Sequence, residues 1–280
     1  MSKVCDLHTH SYYSDGTDSP TQLIGKAVEM GVSAIALTDH DTVAGIPEFM
    51  GAAMEAGIRA IPGIEITTVY EGKELHIVGL FLDPKRLDQI NDFISIMGQY
   101  KEESNQELIK RLNQIGYDLN YEEIRKKHQG NINRAVIAAA MLEKGYISSI
   151  KEAFDKLLDE KFGLYVPPKR FTSFEAIAYL KSIAAVPVLA HPFLNLSEEE
   201  LIEFIPQAKY HGLAAMETRY STYSPETTAA AERIARDFGL LESGGSDYHG
   251  HNKPDIELGI GRGSLIVPEQ LEKQLEHYKQ

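Results

Sequence analysis

Val4-Cys5-Asp6-Leu7-His8-Thr9-His10-Ser11-Tyr12-Tyr13-Ser14-Asp15-Gly16 is the stretch on which the reading of the chain turns. In an extended strand, side chains two apart project to the same side, so His8 and His10 offer two imidazoles to one cation. Asp15 follows on a Ser/Gly turn, where its carboxylate suits a neighbouring cation and the turn's N–H groups suit an anion. A lone His-x-His pair is more often an ordinary pair of surface or core histidines. Repetition changes the weighing.

Four more segments share one layout, an apolar run ending in ligand-type residues: Ala34 to Asp41, Ala60 to Glu65, Pro187 to Pro192, and Leu240 to His249. They bring His40, Glu65, His191, Asp247 and His249. Glu74 to Phe81 is a further apolar strand, with His76 inside the run. Alone, His76 reads as a core histidine; beside the other strands it reads as a ligand.

Between these segments the sequence carries helix signals. Ser19-Pro20-Thr21-Gln22 has the form of a helix start, with Gly31 as the stop. A helix from about Thr42 is closed by Gly57, and Ser173, the Ser197-Glu198-Glu199-Glu200 capping box and Ser224-Pro225 open three more. Leu213 to Thr218 is a strand, Gly259 to Val267 reads as a last strand, and Pro268 to Tyr278 as a terminal helix. From Arg86 to Phe171 charged amphipathic segments replace short strands: Leu87 to Ile115, Tyr121 to His128, and Asn133 to Lys144. The expected organisation is a barrel in two parts, residues 1–85 and 172–280, with a helical cap inserted at 86–171.

Roughly seven strand and helix units with ligands after the strands imply an α/β fold, a closed or nearly closed β/α (TIM-like) barrel, because such barrels place chemistry at the strands' C-terminal ends. A doubly wound open sheet is the competing architecture, but ligands from so many strands converge more easily around a barrel. At 280 residues the chain is long enough for one large domain with an insertion. Its 43% hydrophobic and 25% charged residues are ordinary for a globular protein.

No apolar run approaches the roughly 20 residues of a membrane span, and the N-terminus lacks a secretory pattern. One cysteine, Cys5, leaves no intramolecular disulfide and fits a reducing compartment, so a cytoplasmic location is expected. Its place in an apolar strand favours a buried structural thiol. The formal charge of −13 argues against a broad grip on duplex nucleic acid. A phosphorylated substrate is still compatible, because clustered divalent cations make a site locally positive. Oligomeric state is left open.

His8, His10, Asp15, His40, Glu65, His76, His191, Asp247 and His249 supply six imidazoles and three carboxylates. That is too many for one tetrahedral zinc and suits two or three divalent cations, with Glu65 a natural bridge. Over these motifs, together with Asp6-Leu7, Ser14-Asp15-Gly16, Leu37-Thr38-Asp39, Pro62-Gly63, Val78-Gly79 and Gly245-Ser246, the chain resembles the PHP (polymerase and histidinol phosphatase) family of metal-dependent phosphoesterases.

The resemblance implies a distorted seven-stranded barrel with a trinuclear site of manganese, iron or zinc. It puts His8, His10, Glu65 and Asp247 on one metal, Glu65, His76 and His191 on a second, and Asp15, His40 and His249 on a third. Glu65, His191 and Asp247 are taken as catalytic. Metal-activated water would attack the phosphate ester while the further cation binds phosphate oxygens.

Gly130-Asn131-Ile132-Asn133-Arg134 resembles the branch that includes nucleoside 3′,5′-bisphosphate phosphatases and 5′-to-3′ exonucleases on short RNA, with Ala135-Val136 where the usual motif continues into Pro-His. Arg134 is then a phosphate contact. For Ser14, Lys169 and Tyr223, substrate contact stands beside a packing or solvated role, as it does for Arg219 and Tyr220. His128, His211, His251 and His277 are read as surface histidines. The expected substrate is a nucleoside 3′,5′-bisphosphate, giving the 5′-monophosphate. Competing readings are an exonuclease on short RNA, a histidinol-phosphate phosphatase, and a metal-binding accessory module of a polymerase.

Overall fold

In the computed structural model, residues 3–127 and 132–279 are described. The sequence expectations for Gly130, Asn131 and His128 lie outside them. The chain divides into two compact units, Met1–Asp92 with Phe171–Gln280, and Phe93–Arg170.

The first unit is built on a seven-stranded sheet whose strands neighbour one another in sequence order: β1 (Cys5–Asp6), β2 (Ala34–Leu37), β3 (Arg59–Tyr70), β4 (Lys73–Leu80), β5 (Val186–Leu189), β6 (Ala215–Tyr220) and β7 (Leu241–Gly245). Backbone bonds from Leu7 N–H to Gly244 O (3.2 Å), Asp247 N–H to His8 O (2.8 Å) and His10 N–H to Tyr248 O (2.9 Å) join the first strand to the last and close the barrel. Gly245 permits this approach, since a Cβ there would stand 2.4 Å from His8 Cβ. β2 and β5 are buried along their whole length, as expected of strands covered on both faces.

α1 (Pro20–Glu29) and α2 (Ile46–Ala56) follow the first two strands. Ser19 Oγ accepts from Gln22 N–H while Gln22 Oε1 accepts from Ser19 N–H, the reciprocal cap read from the sequence. Gly57 ends α2 in the left-handed region at φ 68°. In the second half of the unit, α7 (Ser173–Ser182), α8 (Glu198–His211), α9 (Pro225–Asp237) and α10 (Glu269–Lys279) alternate with the strands. Gly259 to Val267 does not form a strand: it is made of turns, with single bridges of Glu257 to Gly261 and of Val4 to Pro268. Positive φ values at Gly259, Gly261 and Gly263 break the extended run there.

β4 departs from simple alternation. No helix precedes it; Glu71 and Gly72, at φ 49° and 79°, turn the chain directly back, and β4 runs antiparallel to both β3 and β5. Its first residues therefore lie beside the last residues of β3, with His76 opposite Thr67. A histidine inside the strand thus reaches the same barrel end as residues that follow the parallel strands.

The second unit is helical. α3 (Leu87–Gln114) crosses its boundary at Phe93, and α4 (Tyr121–Lys127), α5 (Arg134–Glu143) and α6 (Ile150–Ala153) follow, with further single helical turns at Phe154–Leu158 and Glu160–Phe162. Leu108, Leu112, Ile137, Ala138, Met141 and Leu158 form its core. Among the described residues, no helix is long and apolar enough to cross a membrane.

Candidate metal centre

His8 and His10 leave β1 on one side, and their Nε2 atoms stand 3.0 Å apart in full burial. The next loop is clamped by Asp39, which accepts from Ser11 N–H, Ser11 Oγ and Ser14 Oγ, each at 2.7 Å. The clamp carries Asp15 to within 3.1 Å of His249 Nε2 and 3.6 Å of His10 Nδ1.

Glu65 is the hub. Its Oε1 lies 3.0 Å from His76 Nδ1 and 3.1 Å from His191 Nε2. Its Oε2 lies 3.1 Å from His8 Nε2, 3.2 Å from His10 Nε2 and 3.3 Å from His40 Nδ1. Five imidazoles thus divide between the two oxygens of one fully buried carboxylate. Asp247 Oδ1 approaches His10 Nε2 at 3.2 Å and His249 Nδ1 at 3.4 Å.

These donors fit divalent cations. Two ligand atoms about 2.1 Å from one cation stand roughly 3.0–3.4 Å apart at octahedral to tetrahedral angles, which is the spacing around Glu65. Its Oε2, His10 Nδ1, His40 Nδ1 and His191 Nδ1 are buried without a hydrogen-bond partner among the described residues. Imidazole lone pairs facing a carboxylate oxygen repel it unless a proton or a cation lies between them, and each unpaired buried group costs about 1–3 kcal/mol. Three ligand groups lie within 4.8 Å: His8, His10, Glu65 and Asp247; His10, Asp15, His40 and His249; and His40, Glu65 and His76. His191 joins the last through Glu65 Oε1.

Surrounding groups set the tautomers. His249 Nδ1 is 2.8 Å from the Asp247 carbonyl, which can only accept, so Nδ1 carries the proton and Nε2 is left facing Asp15. Glu217 Oε1 lies 2.8 Å from His8 Nδ1, while its Oε2 accepts the His191 backbone N–H at 2.7 Å. One buried carboxylate therefore orients two members of the cluster, as carboxylates beside metal-bound histidines do. Tyr220 Oη and Lys253 Nζ donate to Asp247 Oδ2 at 2.7 and 2.6 Å, leaving Oδ1 to the imidazoles. His191 and Asp247 occupy the left-handed region at φ 27° and 56°, uncommon for such residues and concentrated at functional sites.

The protonation pattern follows from these contacts. Burial opposes a charge on His8, but Glu65, Glu217 and Asp247 outweigh it and hold the imidazole well above its usual value. Against the same burial, Asp247 and Glu65 push His10 up to about 9. Burial prevails at His40, lowering it to about 4. Glu65 and Asp247, despite burial, are held well below the carboxylate range by the imidazoles around them.

All nine residues expected as ligands converge at this barrel end. Of the four expected substrate contacts, Ser14 is bonded to Asp39, and Tyr223 Oη accepts from Phe193 N–H at 3.0 Å. Arg134 and Lys169 belong to the helical unit. Arg134 donates to Leu158 O at 3.1 Å with its guanidinium 4.1 Å from the Tyr165 ring centre, and Lys169 Nζ stands 5.8 Å from that of Tyr100. His211 is half-buried and stacks on Phe174 at 5.2 Å, while His251 and His277 are exposed. Cys5 is buried, which pushes its thiol up and leaves it a packing group.

Glu217, Tyr220 and Lys253 are absent from the sequence-derived ligand set. Glu217 had a signal, since it stands on β6 where an apolar run gives way to polar residues, the layout of the other ligand strands.

The profile of the PHP domain matches residues 6–166. The chain belongs to the PHP family. Over 261 residues it is 35% identical to a 5′-3′ exoribonuclease of Escherichia coli, covering 91% of this chain and 88% of that one. It is 32% identical to a 5′-3′ exoribonuclease of Haemophilus influenzae over 250 residues, covering 89% and 91%. A 3′,5′-nucleoside bisphosphate phosphatase of Chromobacterium violaceum is 27% identical over 264 residues, covering 91% and 90%. Among solved structures, a Bifidobacterium adolescentis protein described as a metal-dependent phosphoesterase superposes with a TM-score of 0.67 at 28% identity, covering 98% of this chain and 95% of that one. This PHP protein is accordingly a metal-dependent phosphoesterase, and its clustered histidines and carboxylates are groups able to hold the metal.

Proposed function

We propose that the protein hydrolyses the phosphate ester on the 3′ oxygen of a 5′-phosphorylated nucleotide, acting on short 5′-phosphorylated RNA from its 5′ end. The observation that carries the chemistry is the division of five imidazoles between the two oxygens of Glu65, an arrangement that suits a carboxylate bridging two cations. The nucleotide class rests on the exoribonucleases to which the chain is 35% and 32% identical.

A second reading, hydrolysis of nucleoside 3′,5′-bisphosphates, is favoured by the Chromobacterium relative. The two share one bond. A nucleoside 3′,5′-bisphosphate is the shortest molecule with a 5′ phosphate and a phosphoryl group on its 3′ oxygen. Cleavage between that oxygen and phosphorus gives a nucleoside 5′-monophosphate in both cases.

Divalent manganese, iron or zinc, when bound, supplies an activated water and positive charge for phosphoryl oxygens. In this reading His8, His10, Glu65 and Asp247 would hold one ion, Glu65, His76 and His191 a second, and Asp15, His40 and His249 a third. Glu217 keeps His8 and the His191 backbone in place, and Tyr220 with Lys253 fixes the rotation of Asp247. Arg134 and Lys169, charged groups of the helical unit, are proposed as phosphate-binding residues, and Ser14 and Tyr223 as lesser contacts.

The test is a parallel assay of manganese-loaded protein on a short 5′-phosphorylated RNA, adenosine 3′,5′-bisphosphate and histidinol phosphate. Release of nucleoside 5′-monophosphates from the RNA is expected. Turnover of the bisphosphate alone would select the second reading, and turnover of histidinol phosphate alone would overturn both.

A further inference from the structure

Tyr12 and Tyr13 lie on the loop that carries Asp15 into the cluster, and both are left in contact with water, at 49% and 39% exposure. Scattered exposed aromatics need no explanation, but these two are ordered against each other, with ring centres 4.7 Å apart and planes at 28°. Their backbone is fixed: Tyr12 N–H donates to Asp18 O at 2.9 Å, Tyr13 N–H to Ser11 Oγ at 3.2 Å, and Ser14 N–H to Ser11 O at 3.1 Å.

The polar end of Tyr12 is fixed as well. Its hydroxyl donates to Glu48 Oε2 at 3.1 Å, and Glu48 Oε1 accepts from Thr21 Oγ1 at 2.8 Å and from Thr21 N–H at 3.2 Å. Gly45 leaves room for the neighbouring ring, since a Cβ there would stand 3.0 Å from Tyr13 Cδ2. Residues three apart across a turn have Cα atoms within about 7 Å. The Cα atoms of Tyr12 and Asp15 therefore lie about one turn's width apart, on the loop whose Asp15 carboxylate is 3.1 Å from His249 Nε2. A rigid pair of π-faces beside a phosphate-cleaving centre is the equipment that single-stranded nucleic-acid sites use to hold bases without reading their identity.

We propose that Tyr12 and Tyr13 form a stacking platform for the base of the bound nucleotide, a specificity determinant that distinguishes nucleotides from sugar phosphates lacking a base. This rests on the nucleotide reading above. The stack is sequence-tolerant, because every base offers a π-face, and it adds affinity that the metal centre alone does not supply.

Binding of adenosine 5′-monophosphate and of ribose 5-phosphate is measured by calorimetry on manganese-loaded wild type, on the pair Tyr12→Ala with Tyr13→Ala, and on the pair Tyr12→Phe with Tyr13→Phe. The alanine pair is expected to weaken the adenosine nucleotide roughly five- to a hundredfold, to leave ribose 5-phosphate and metal content unchanged, and to raise KM rather than lower kcat. The phenylalanine pair should bind as wild type does. An alanine pair that binds both ligands as wild type does, or loses both by one factor, overturns the platform.

Binding and hydrolysis are read separately. A protein that prefers adenosine 5′-monophosphate through these rings yet hydrolyses no nucleotide upholds the platform and overturns the proposed reaction. One that hydrolyses nucleotides but binds both ligands equally does the reverse.

Discussion

The barrel unit and the helical unit treat buried polar groups differently. At the strand ends His8, His10, Glu65, Glu217 and Asp247 are buried together, and four atoms of the cluster have no hydrogen-bond partner among the described residues. In Phe93–Arg170 the buried polar residues among those described are Ser104 and Asn105. Each is satisfied, with Ser104 Oγ donating to Val166 O at 2.5 Å and Asn105 Nδ2 to Ile132 O at 2.8 Å. Native interiors pair nearly all their polar atoms, so a cluster left unpaired marks groups kept for something other than folding. The helical unit obeys the packing rule and the barrel end departs from it.

Glu65→Gln should break the barrel side of this contrast most severely. An amide bridges two cations poorly, and because removing groups that merely support a ligand already costs 10- to 100-fold, the loss in kcat/KM should exceed about a hundredfold. Elemental analysis should show depleted metal, while denaturant unfolding of the helical unit stays as in wild type. Retained metal and activity would remove Glu65 from the centre.

Leu112→Ala probes the other side. Leu112 is fully buried in the helical core, so truncation should cost about 2–5 kcal/mol in unfolding free energy. Metal content should be unchanged. If metal is lost in step with stability, the two units are not separable in this way.

Glu217→Gln sharpens the distinction within the barrel, because Glu217 touches the cluster without belonging to the ligand groups. A fall of about 10- to 100-fold in metal affinity or activity is expected, smaller than for Glu65→Gln. Equal losses would make Glu217 a ligand.

The smallest effect is a proton count. Without metal, His10 is pushed up to about 9 and His8 is held well above its usual value, so both carry protons at neutral pH. A cation takes the unprotonated ring, so loading releases at least one proton, and affinity rises with pH until these rings lose their protons unaided. Calorimetry in buffers of different ionisation enthalpy reads this number, and zero release at pH 7 would contradict it.

Much of the barrel was legible because parallel strands ending in ligand-type residues repeat a recognisable layout. The nine candidate ligand positions are spaced by strand and loop geometry that the sequence displays directly. The reversal of β4 was less visible, since Glu71-Gly72 is a two-residue signal and an apolar run does not reveal its direction; only the pairing of His76 with Thr67 does. Glu217 carried only the layout of its strand as a signal, because a single carboxylate has no partner spacing in sequence and its contact with His8 spans 209 positions. Gly259 to Val267 has the apolar content of a strand, but its glycines turn it. Arg134 stands out in sequence by its motif, whereas its bond to Leu158 and its stacking on Tyr165 are set by tertiary packing.

In this reading Glu65 divides its neighbours between more than one cation. Elemental analysis of purified protein, coupled to a hydrolysis assay before and after chelation, tests it most directly. More than one equivalent of transition metal per chain, with activity lost on chelation and restored on reloading, is the predicted result. A protein that is fully active with no metal, or that reaches full activity at one equivalent, would contradict it.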